Sequence, residues 1–288
     1  MIVLIIAGGL GNQLFEYAAA KAMALRSGTE VCLNTKTGFE RDKVYKRVFC
    51  LDRFPISYKT NRFLSFDFPG GYIFNKISRM LGRHIFMPCY KYIFDTNVSI
   101  KDLKQNPQKY KNVVLQGTWV KYEYFEDYAQ EIRLIYEVNT PYTEQMKYYL
   151  LEIERSPIPI VAMGVRVYQE IVNPELRKSE FYAQEDYYNR AIAYYKNKLG
   201  RFKLYIFTQA KEWVLSHVKL DGIEYEFVQT STGDMDATND MLIMSKCHHY
   251  IISNSSYYFW ATFLNCKDKD VIIPKQWTSG VMKEWIKL

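Results

Sequence analysis

Short apolar runs alternate with stretches of helical periodicity along most of the chain, and this alternation predicts an α/β protein. The first run, Ile2–Ala7, is rich in β-branched residues, as expected of a buried parallel strand. Apolar residues at helical spacing follow over Leu14–Leu25, Gly28 ends that helix, and Glu30–Leu33 forms a second short strand. The start of the chain therefore predicts a βαβ unit.

The same alternation predicts two domains. Residues 35–110 are rich in aromatic residues and lysine and are interpreted as mixed helix and loop. A strand at Val113–Gln116 follows, then a helix up to about Tyr136 and another that begins at Pro141. The prolines of RSPIPI mark a linker. Beyond it, strands are predicted at Ile160–Val165, Lys203–Phe207, Tyr225–Val228, His249–Ile252 and Val271–Ile273, and helices at Asp186–Leu199, Glu212–His217, Met241–Ser245 and Tyr257–Leu264. We therefore expect two Rossmann-like α/β domains, at residues 1–155 and 156–288, that face a cleft.

The glycine-rich turn after the first strand, GGLGNQLFEYA, is the first candidate site. Gly9 and Gly11 begin a dinucleotide-binding fingerprint, but a leucine replaces its third glycine, and Asn34 rather than an acid ends the second strand. A nicotinamide site is therefore not predicted. What remains is a helix N-terminus that carries Asn12 and Gln13, whose amides and backbone N–H groups suit hydroxyl or phosphate ligands.

A second candidate site lies at IISNSSYYFWATFLN, where an apolar strand ends in the polar run Ser253–Ser256 and an aromatic helix follows. One of these side chains is expected to cap the helix. Three hydroxyls and an amide at the end of one strand also suit an anion. The sequence alone leaves both interpretations open.

Charge and cysteine content narrow the class of partner and compartment. The net charge of +7 is spread along the chain, which suits a phosphate-bearing partner or an anionic membrane face as well as a merely solvated surface. The five cysteines are widely spaced and show no zinc pattern, so they are interpreted as reduced thiols of a cytoplasmic protein. Met1–Ala7 is too short to span a bilayer and lacks the basic start of a signal peptide.

Acidic and histidine residues give weaker signals. Asp234 and Asp236, in TGDMDATND, could hold a metal with a nucleotide diphosphate or could simply be solvated. The four histidines show no pattern of metal ligands or of a catalytic triad. No metal site is predicted.

The two candidate segments together resemble family 11 glycosyltransferases, the α-1,2-fucosyltransferases. The resemblance is carried by GGLGNQLFEYA near the N-terminus and by DMLIMSKCHHYIISNSSYYFWATFLN followed by VIIPKQW near the C-terminus, with LQGTWVKYEYFED, EDYYNRAIAYY and YIFTQAKEWV in order between them. It spans Ile2 to about Trp277. It implies a GT-B-like pair of domains, transfer from GDP-β-L-fucose without a metal, and inversion to an α-linked product.

The chain departs from that family at its H-x-R-R-x-D segment, which is matched here by GVRVYQ. Gly164 stands in place of the histidine, Val167 in place of the second arginine and Gln169 in place of the aspartate. Arg166 remains, and Glu170 lies one position beyond the lost acid. An arginine can clamp a diphosphate with two hydrogen bonds and stabilise the leaving GDP. Since the second arginine is missing, Arg177 or Lys178 could substitute for it.

The resemblance also implies roles for individual residues. Catalysis is expected from Arg166, Asn12, Glu170 and Glu16, the two acids being candidate bases together with Glu123, Glu126 and Asp127. Donor binding is expected from Gly9, Gly11, Gln13, Arg166, Thr208, Asp240, Asn254, Ser255 and Ser256. Among these, Arg166 would contact the β-phosphate and Asp240 the guanine, and Asn12 and Gln13 would line the acceptor side.

The expected function is a cytoplasmic α-1,2-fucosyltransferase that uses GDP-fucose as co-substrate, with no further cofactor. Its acceptor would be a glycan or a lipid-linked oligosaccharide of surface polysaccharide or lipopolysaccharide synthesis, and its basic surface would hold it near the inner face of a membrane. No nucleic-acid partner is expected. Two alternatives stay open: the same fold with a different nucleotide sugar, and a degenerate member that binds glycan or nucleotide without turnover.

Overall fold

A computed structural model describes residues 1–40, 42–43, 45–138, 141–167, 183–228, 230, 237–278 and 280–288. Contacts within the chain divide it into two units, Met1–Thr140 and Pro141–Leu288. The helix Glu144–Arg155 belongs to the second unit, where Glu152 forms an ion pair with Lys203, whereas the sequence pattern placed it in the N-terminal domain. The assignment of acceptor and donor binding to separate domains stays a prediction.

The described part of unit 1 is built on a parallel four-stranded sheet. Its strands are β1 (Ile2–Ile5), β2 (Val31–Asn34), β3 (Lys91–Phe94) and β4 (Val113–Gln116), in the order β2-β1-β4-β3. Its helices are α1 (Leu10–Ser27), α2 (Arg62–Ser65), α3 (Gly71–Met80), α4 (Ile100–Gln105) and α5 (Ala129–Ile135), with 3-10 turns at Leu51–Arg53, Pro107–Tyr110, Tyr122–Tyr124 and Glu126–Tyr128. The chain leaves β1 toward β2 on one side, and β4 lies on the other. The order in which the chain adds strands therefore reverses between β1 and β4, and the glycine-rich turn lies beside this topological switch point.

Helix α1 forms where the sequence predicts it, one turn longer at its start. The alanines at 18, 19, 20 and 22 are fully buried and allow close packing of the helix on its neighbours. Gly28 ends the helix with φ 63°, a left-handed conformation that glycine adopts without strain. The glycine-rich turn is thereby fixed between a buried strand and a long buried helix.

The described part of unit 2 is a parallel sheet of six strands. The strands are β5 (Ile160–Val165), β6 (Lys203–Thr208), β7 (Glu224–Phe227), β8 (His249–Ile252), β9 (Val271–Ile273) and β10 (Ile286–Lys287). The helices are α6 (Glu144–Arg155), α7 (Glu185–Leu199), α8 (Lys211–His217), α9 (Ala237–Met244) and α10 (Ser256–Leu264). The sheet order is β10-β9-β8-β5-β6-β7. Read from β7 to β10, with β5 counted as strand 1, it is the order 3-2-1-4-5-6 of Rossmann folds.

Two short strands were not predicted from the sequence pattern. β3 lies inside the segment interpreted as mixed helix and loop, and β10 lies beyond the last predicted strand. Both are edge strands, and of the four residues of β3 only Tyr92 is buried. The apolar run of β3 has three residues and β10 has one apolar residue, which is shorter than the runs of about 4–8 residues that indicate a buried strand. The prediction of two parallel α/β regions is confirmed.

Candidate functional site

The carboxyl ends of β5 and β8 form the topological switch point of the unit 2 sheet, where the order in which the chain adds strands reverses. The chain runs from β5 through β6 to β7 on one side and returns to β8 on the other. Gly164 and Ile252 are paired across these two strands, and the Ser253 backbone N–H donates to the Gly164 carbonyl oxygen at 3.1 Å. Open α/β sheets bind ligands at such a point. The sequence places Arg166 and the polar run Ser253–Ser256 there.

Arg166 is half-buried and directly follows β5. Its Nη1 atom lies 3.3 Å from Oε1 of Gln209, the residue that follows β6. The guanidinium therefore lies over the ends of two adjacent strands. In this place it can present a planar pair of N–H groups to a phosphate.

Ser255 of the polar run after β8 is the N-cap residue of α10. Its side chain makes no cap hydrogen bond to a described residue, so Ser255 does not supply the expected cap. The Ser253 hydroxyl is fully buried and has no hydrogen-bond partner in the described part of the chain. A buried hydroxyl that lacks a partner is costly unless something else binds it. Ser255 and Ser256, by contrast, are half-buried, so their hydroxyls and the backbone N–H groups at the start of α10 are the groups of this run that can meet a ligand.

Gly164, the residue expected to replace the histidine of the family segment, is tightly packed. A Cβ atom on Gly164 would lie 2.7–2.9 Å from three ring atoms of Tyr258, so this position has no room for any side chain. Tyr258 is buried, and its hydroxyl lies 2.8 Å from the Phe207 carbonyl oxygen and 3.1 Å from that of Val165. The Tyr258 side chain therefore fills the space above Gly164 and ties the ends of β5 and β6 together.

Thr208 and Asp240 make contacts within the protein near the same edge. The Thr208 Oγ1 atom accepts the Ala210 backbone N–H at 3.0 Å. Asp240 lies in α9, and its Oδ1 atom accepts the backbone N–H of Thr230 at 2.8 Å and the Thr230 hydroxyl at 2.6 Å. The Asp240 carboxylate thus joins α9 to the segment after β7. Its expected contact with guanine stays a prediction.

In unit 1, the glycine-rich turn lies at the carboxyl end of β1. Gly8 has φ 75°, and a Cβ atom there would lie 3.2 Å from the Asn12 side chain. Gly9 is the N-cap residue of α1, Gly11 is buried in its first turn, and Asn12 is half-buried. The turn therefore places the Asn12 amide at the sheet edge where a ligand is expected.

Gln13 differs from the sequence expectation of a ligand-facing amide. Its side chain is fully buried, and Nε2 donates to the carbonyl oxygens of Gly8 at 2.8 Å and Val48 at 2.7 Å. Its Oε1 atom accepts the Cys50 backbone N–H at 2.9 Å. Both donors of the amide are used within the protein, so Gln13 fastens the segment at residues 48–50 to the glycine turn. Its role in donor binding stays a prediction that this geometry does not favour.

Glu16 is a buried carboxyl group, only 2% exposed. Its Oε2 atom accepts the Ala7 backbone N–H at 2.9 Å, just beyond β1. Burial raises the pKa of Glu16 well above its usual range, and the nearby Asp95 charge raises it further. The protonated form is therefore favoured, and in that form the carboxyl group, like an amide, both donates and accepts a hydrogen bond.

Sequence reasoning missed a contact between the ends of β3 and β4. Asp95 directly follows β3, and its Oδ2 atom accepts the backbone N–H groups of Thr118 at 3.1 Å and Trp119 at 3.2 Å. Gly117 has φ 118°, and a Cβ atom there would lie 2.3 Å from the Asp95 carboxylate. Trp119 is buried with a left-handed φ of 52°. A positive φ at a tryptophan is strained and is often found at functional sites.

Of the predicted residues that remain, Glu123 is half-buried, and the others either form ion pairs or lie outside the described part of the chain. Glu126 and Asp127 form ion pairs with Lys104, and Asp127 also with Arg26. The residues outside the described part of the chain are Glu170, Arg177, Lys178, Asp234 and Asp236. Among the described residues, no group of three or more His, Cys, Asp or Glu side chains is placed to hold a metal ion. Within that same set, no helix is both long and apolar enough to cross a membrane.

A surface depression of about 300 Å³ lies at the opposite edge of the unit 2 sheet and contains none of the predicted site residues. It is lined by residues 156–159, His248, His249, Lys267 and Asp268. The Nδ1 atom of His248 accepts the Ile160 backbone N–H at 2.9 Å, and that of His249 accepts the Asp270 N–H at 3.1 Å. Both histidines are therefore structural in their neutral form.

Solved structures of fucosyltransferases share this fold. The α-1,6-fucosyltransferase NodZ, co-crystallised with GDP, aligns with a TM-score of 0.54 and 16% identity over 91% of this chain and 92% of its own. A mutant of FUT1 from Arabidopsis thaliana in complex with GDP aligns with a TM-score of 0.50 and 12% identity over 95% and 70%. At these identities the likeness establishes the fold alone, which is the expected GT-B type.

Sequence comparisons identify the family. An O-antigen biosynthesis glycosyltransferase of Escherichia coli, WbnK, is 23% identical and covers 98% of this chain and 99% of its own. An α-1,2-colitosyltransferase of the same species is 24% identical over 96% and 92%. The profile of glycosyl transferase family 11 matches residues 1–287. The chain therefore belongs to glycosyl transferase family 11 and is a glycosyltransferase.

Proposed function

We propose that the protein is an inverting α-1,2-fucosyltransferase that moves L-fucose from GDP-fucose to a glycan hydroxyl in surface polysaccharide or lipopolysaccharide synthesis. The observation that carries the proposal is that Arg166 follows β5 and the hydroxyl-rich segment before α10 follows the adjacent strand β8, so both lie at the carboxyl ends of a Rossmann-type sheet where its strand order reverses. A guanidinium and a helix N-terminus together suit a nucleotide diphosphate. Solved relatives of the same fold hold GDP.

The reaction needs little covalent chemistry from the protein. The acceptor oxygen bonds to C1 of the sugar as the bond from C1 to the β-phosphate oxygen breaks, and the acceptor proton passes to a carboxylate. Negative charge grows on the departing diphosphate, and Arg166 and the start of α10 stabilise it without a metal. Glu170 is the candidate base, and the Asn12 amide positions the acceptor hydroxyl. Glu16 is the other expected base, but burial raises its pKa, which favours the protonated form that cannot accept the proton.

A second donor is favoured by one observation. The α-1,2-colitosyltransferase relative matches nearly the whole chain at 24% identity, which is close to the 23% of the O-antigen enzyme. Transfer of colitose from a nucleotide-colitose donor is therefore the second candidate function. It uses the same phosphate site, and the two functions differ only in the contacts made to the sugar.

The test is a thermal-shift panel of GDP, UDP, ADP and dTDP followed by turnover with nucleotide sugars. A ligand at a hundredfold excess over Kd stabilises the folded state by about 2.7 kcal/mol. We expect a GDP-selective shift and turnover of GDP-fucose in the presence of excess EDTA. Turnover of a colitosyl donor alone supports the second candidate. A GDP shift without any turnover supports a non-catalytic binding protein, and a UDP-selective shift contradicts both donors.

Arg166 provides the site-specific test. Arg166→Ala should lower both nucleotide affinity and kcat, because the charge that it stabilises is greatest in the transition state. Arg166→Lys should recover only part of the activity, because a lysine lacks the planar pair of donors. Arg201→Ala is the matched control, since this exposed arginine lies at the other end of β6 in the same unit. Normal activity of Arg166→Ala would place the phosphate site elsewhere.

A further inference from the structure

Helix α3 presents an apolar stripe to solvent on the side opposite its buried face. Gly71 and Ser78 are its buried residues, whereas Ile73, Ile77 and Met80 are exposed, Met80 by 77%. These three recur at spacings of four and three residues and so lie on one face of the helix. A helix on the surface of a globular protein normally turns such a stripe toward the protein core.

Neighbouring segments extend this apolar stripe. Phe63, in α2, is 65% exposed, and Leu81 and Phe86, which follow α3, are exposed as well. The rings of Phe63 and Phe86 lie 6.5 Å apart, and Phe86 lies 5.3 Å from Phe74 of α3. We refer to this surface as the α3 patch; its members are Phe63, Ile73, Ile77, Met80, Leu81 and Phe86. Contiguous apolar surface of this kind marks an interaction site.

Basic side chains surround the α3 patch. Between residues 61 and 91 the sequence contains five basic residues and one acid. The basic residues are all exposed: Arg62, Lys76, Arg79, Arg83 and Lys91. The one acid, Asp67, forms an ion pair with Lys36 at 3.1 Å. The rim of the patch is therefore strongly positive.

We propose that the α3 patch is a docking surface for an anionic lipid bilayer. Exposed isoleucine, methionine and phenylalanine side chains can enter the boundary between headgroups and acyl chains, while lysine and arginine at the rim contact the headgroups. Each basic residue near an anionic leaflet adds to the attraction. A second copy of the chain is the less favoured occupant, because a twofold contact through the patch would bring two positive rims together.

This inference deepens the proposed function. A lipid-linked oligosaccharide acceptor lies at a bilayer surface, so docking through the patch would hold the enzyme at its acceptor. That consequence rests on the proposed function, whereas docking itself does not. Vesicle binding is therefore measured without nucleotide sugar, and turnover is measured separately on a soluble acceptor, so that either proposal can fail alone.

The test compares co-sedimentation of the full chain with phosphatidylglycerol vesicles and with phosphatidylcholine vesicles. We expect binding to the first, weaker binding to the second, and a decrease with added salt, since screening weakens the basic rim. The triple variant Ile73→Ser, Ile77→Ser and Met80→Ser should lower the partition coefficient by about tenfold or more, because each side chain loses apolar burial in the lipid. Turnover of a soluble acceptor should remain at the wild-type level.

The matched control removes equally exposed apolar residues elsewhere. Leu134→Ser with Leu151→Ser and Leu215→Ser changes three exposed leucines of α5, α6 and α8 and should alter binding by about twofold at most. Circular dichroism verifies that both triple variants fold. Absence of wild-type binding to phosphatidylglycerol, or equal binding by the α3 and control variants, would overturn the proposal. The proposal would also be overturned if the wild type did not bind vesicles but formed a concentration-dependent dimer that the α3 triple variant abolished.

Discussion

The substitution Gly164→Ala tests whether the Tyr258 ring leaves no room for a side chain at position 164. Gly164 lies in the middle of the sheet, at the carboxyl end of β5, and its Cβ position is 2.7–2.9 Å from three Tyr258 ring atoms. The ring cannot move away cheaply, because it is buried and its hydroxyl is within hydrogen-bond distance of two carbonyl oxygens. We therefore expect one added methyl group to destabilise unit 2.

The size of the effect follows from two opposing terms. Overpacking a close-packed core costs about 1–3 kcal/mol. Replacing a glycine whose φ is not left-handed by alanine returns about 0.4–1 kcal/mol, because the unfolded chain loses freedom. Gly164→Ala should therefore lower the free energy of unfolding by about 1.3 kcal/mol, within a range of about 0–2.6 kcal/mol. Gly164→His, which introduces a larger side chain at the same position, should be more destabilising.

A double-mutant cycle isolates the contact. Tyr258→Ala alone should cost about 3–5 kcal/mol through the cavity that it leaves. In that background, Gly164→Ala no longer meets a ring and should be neutral or stabilising by about 0.4–1 kcal/mol. The coupling energy between the two positions should therefore be about 1–3 kcal/mol. Urea unfolding followed by tryptophan fluorescence and by circular dichroism gives the four free energies.

The outcome that refutes the reasoning is equal destabilisation by Gly164→Ala in both backgrounds. The added methyl would then act through the backbone or another neighbour, and the steric account of Gly164 would be wrong. A stable and active Gly164→His variant would have the same meaning. Either result would show that the space above Gly164 is adaptable.

Three other perturbations test the unit 1 site and the fold. Glu16→Gln should stabilise the protein at pH 7, because at that pH the wild type must carry or neutralise a buried carboxylate and the variant need not; the gain should vanish as the pH falls to about 4.3. A loss of stability at pH 7 would contradict a neutral Glu16, as would a loss of kcat of about 10²-fold or more, which is typical of a removed general base. Burial lowers the pKa of His248 and His249, so their contribution to stability is present above about pH 6.5 and is lost as the pH falls below it; chemical denaturation of a variant with both histidines changed to glutamine should show a smaller loss between pH 7 and 5, and an unchanged slope would refute this. Gly117→Ala should lower the free energy of unfolding by about 1–3 kcal/mol, because it adds strain and a clash with the Asp95 carboxylate; a variant as stable as the wild type in urea would show that the turn adapts.

Much of the fold could be predicted from local patterns. The bounds of β5, β8 and β9 agree with the structure residue for residue, because these strands are buried in the sheet and show as unbroken apolar runs. Strand ends also identify the ligand edge of each sheet, since parallel strands have their carboxyl ends on the same side. This is why Arg166 and the glycine turn could be assigned to sheet edges before their contacts were known.

Side-chain contacts between distant segments could not be predicted in this way. Asp95 reaches Thr118 and Trp119 across 23 and 24 residues, and no spacing rule links them. The left-handed backbone at Trp119 gives no local signal either, because glycine or asparagine would be expected at such a position. The positive φ at Gly117 is the part that the GTW sequence could have indicated.

The glycine turn shows how burial, rather than residue type, decides which side chains can meet a ligand. Asn12 and Gln13 carry the same amide group on adjacent positions of α1, yet Asn12 is half-buried beside Gly8 and Gln13 is wholly enclosed and bonded to backbone. A helix turns its neighbouring residues by about 100°, so one of the two must face inward when the helix packs on a sheet. We therefore expect Asn12→Ala to lower kcat/KM with little change in melting temperature. We expect Gln13→Ala to lower the melting temperature, because it removes the partner of three backbone groups, of which the Cys50 N–H is buried. The two variants, measured by the same thermal and kinetic assays, control for each other. If Asn12→Ala melts early with normal kinetics, or Gln13→Ala melts normally with impaired kinetics, the assignment of ligand and structural roles within the turn is reversed.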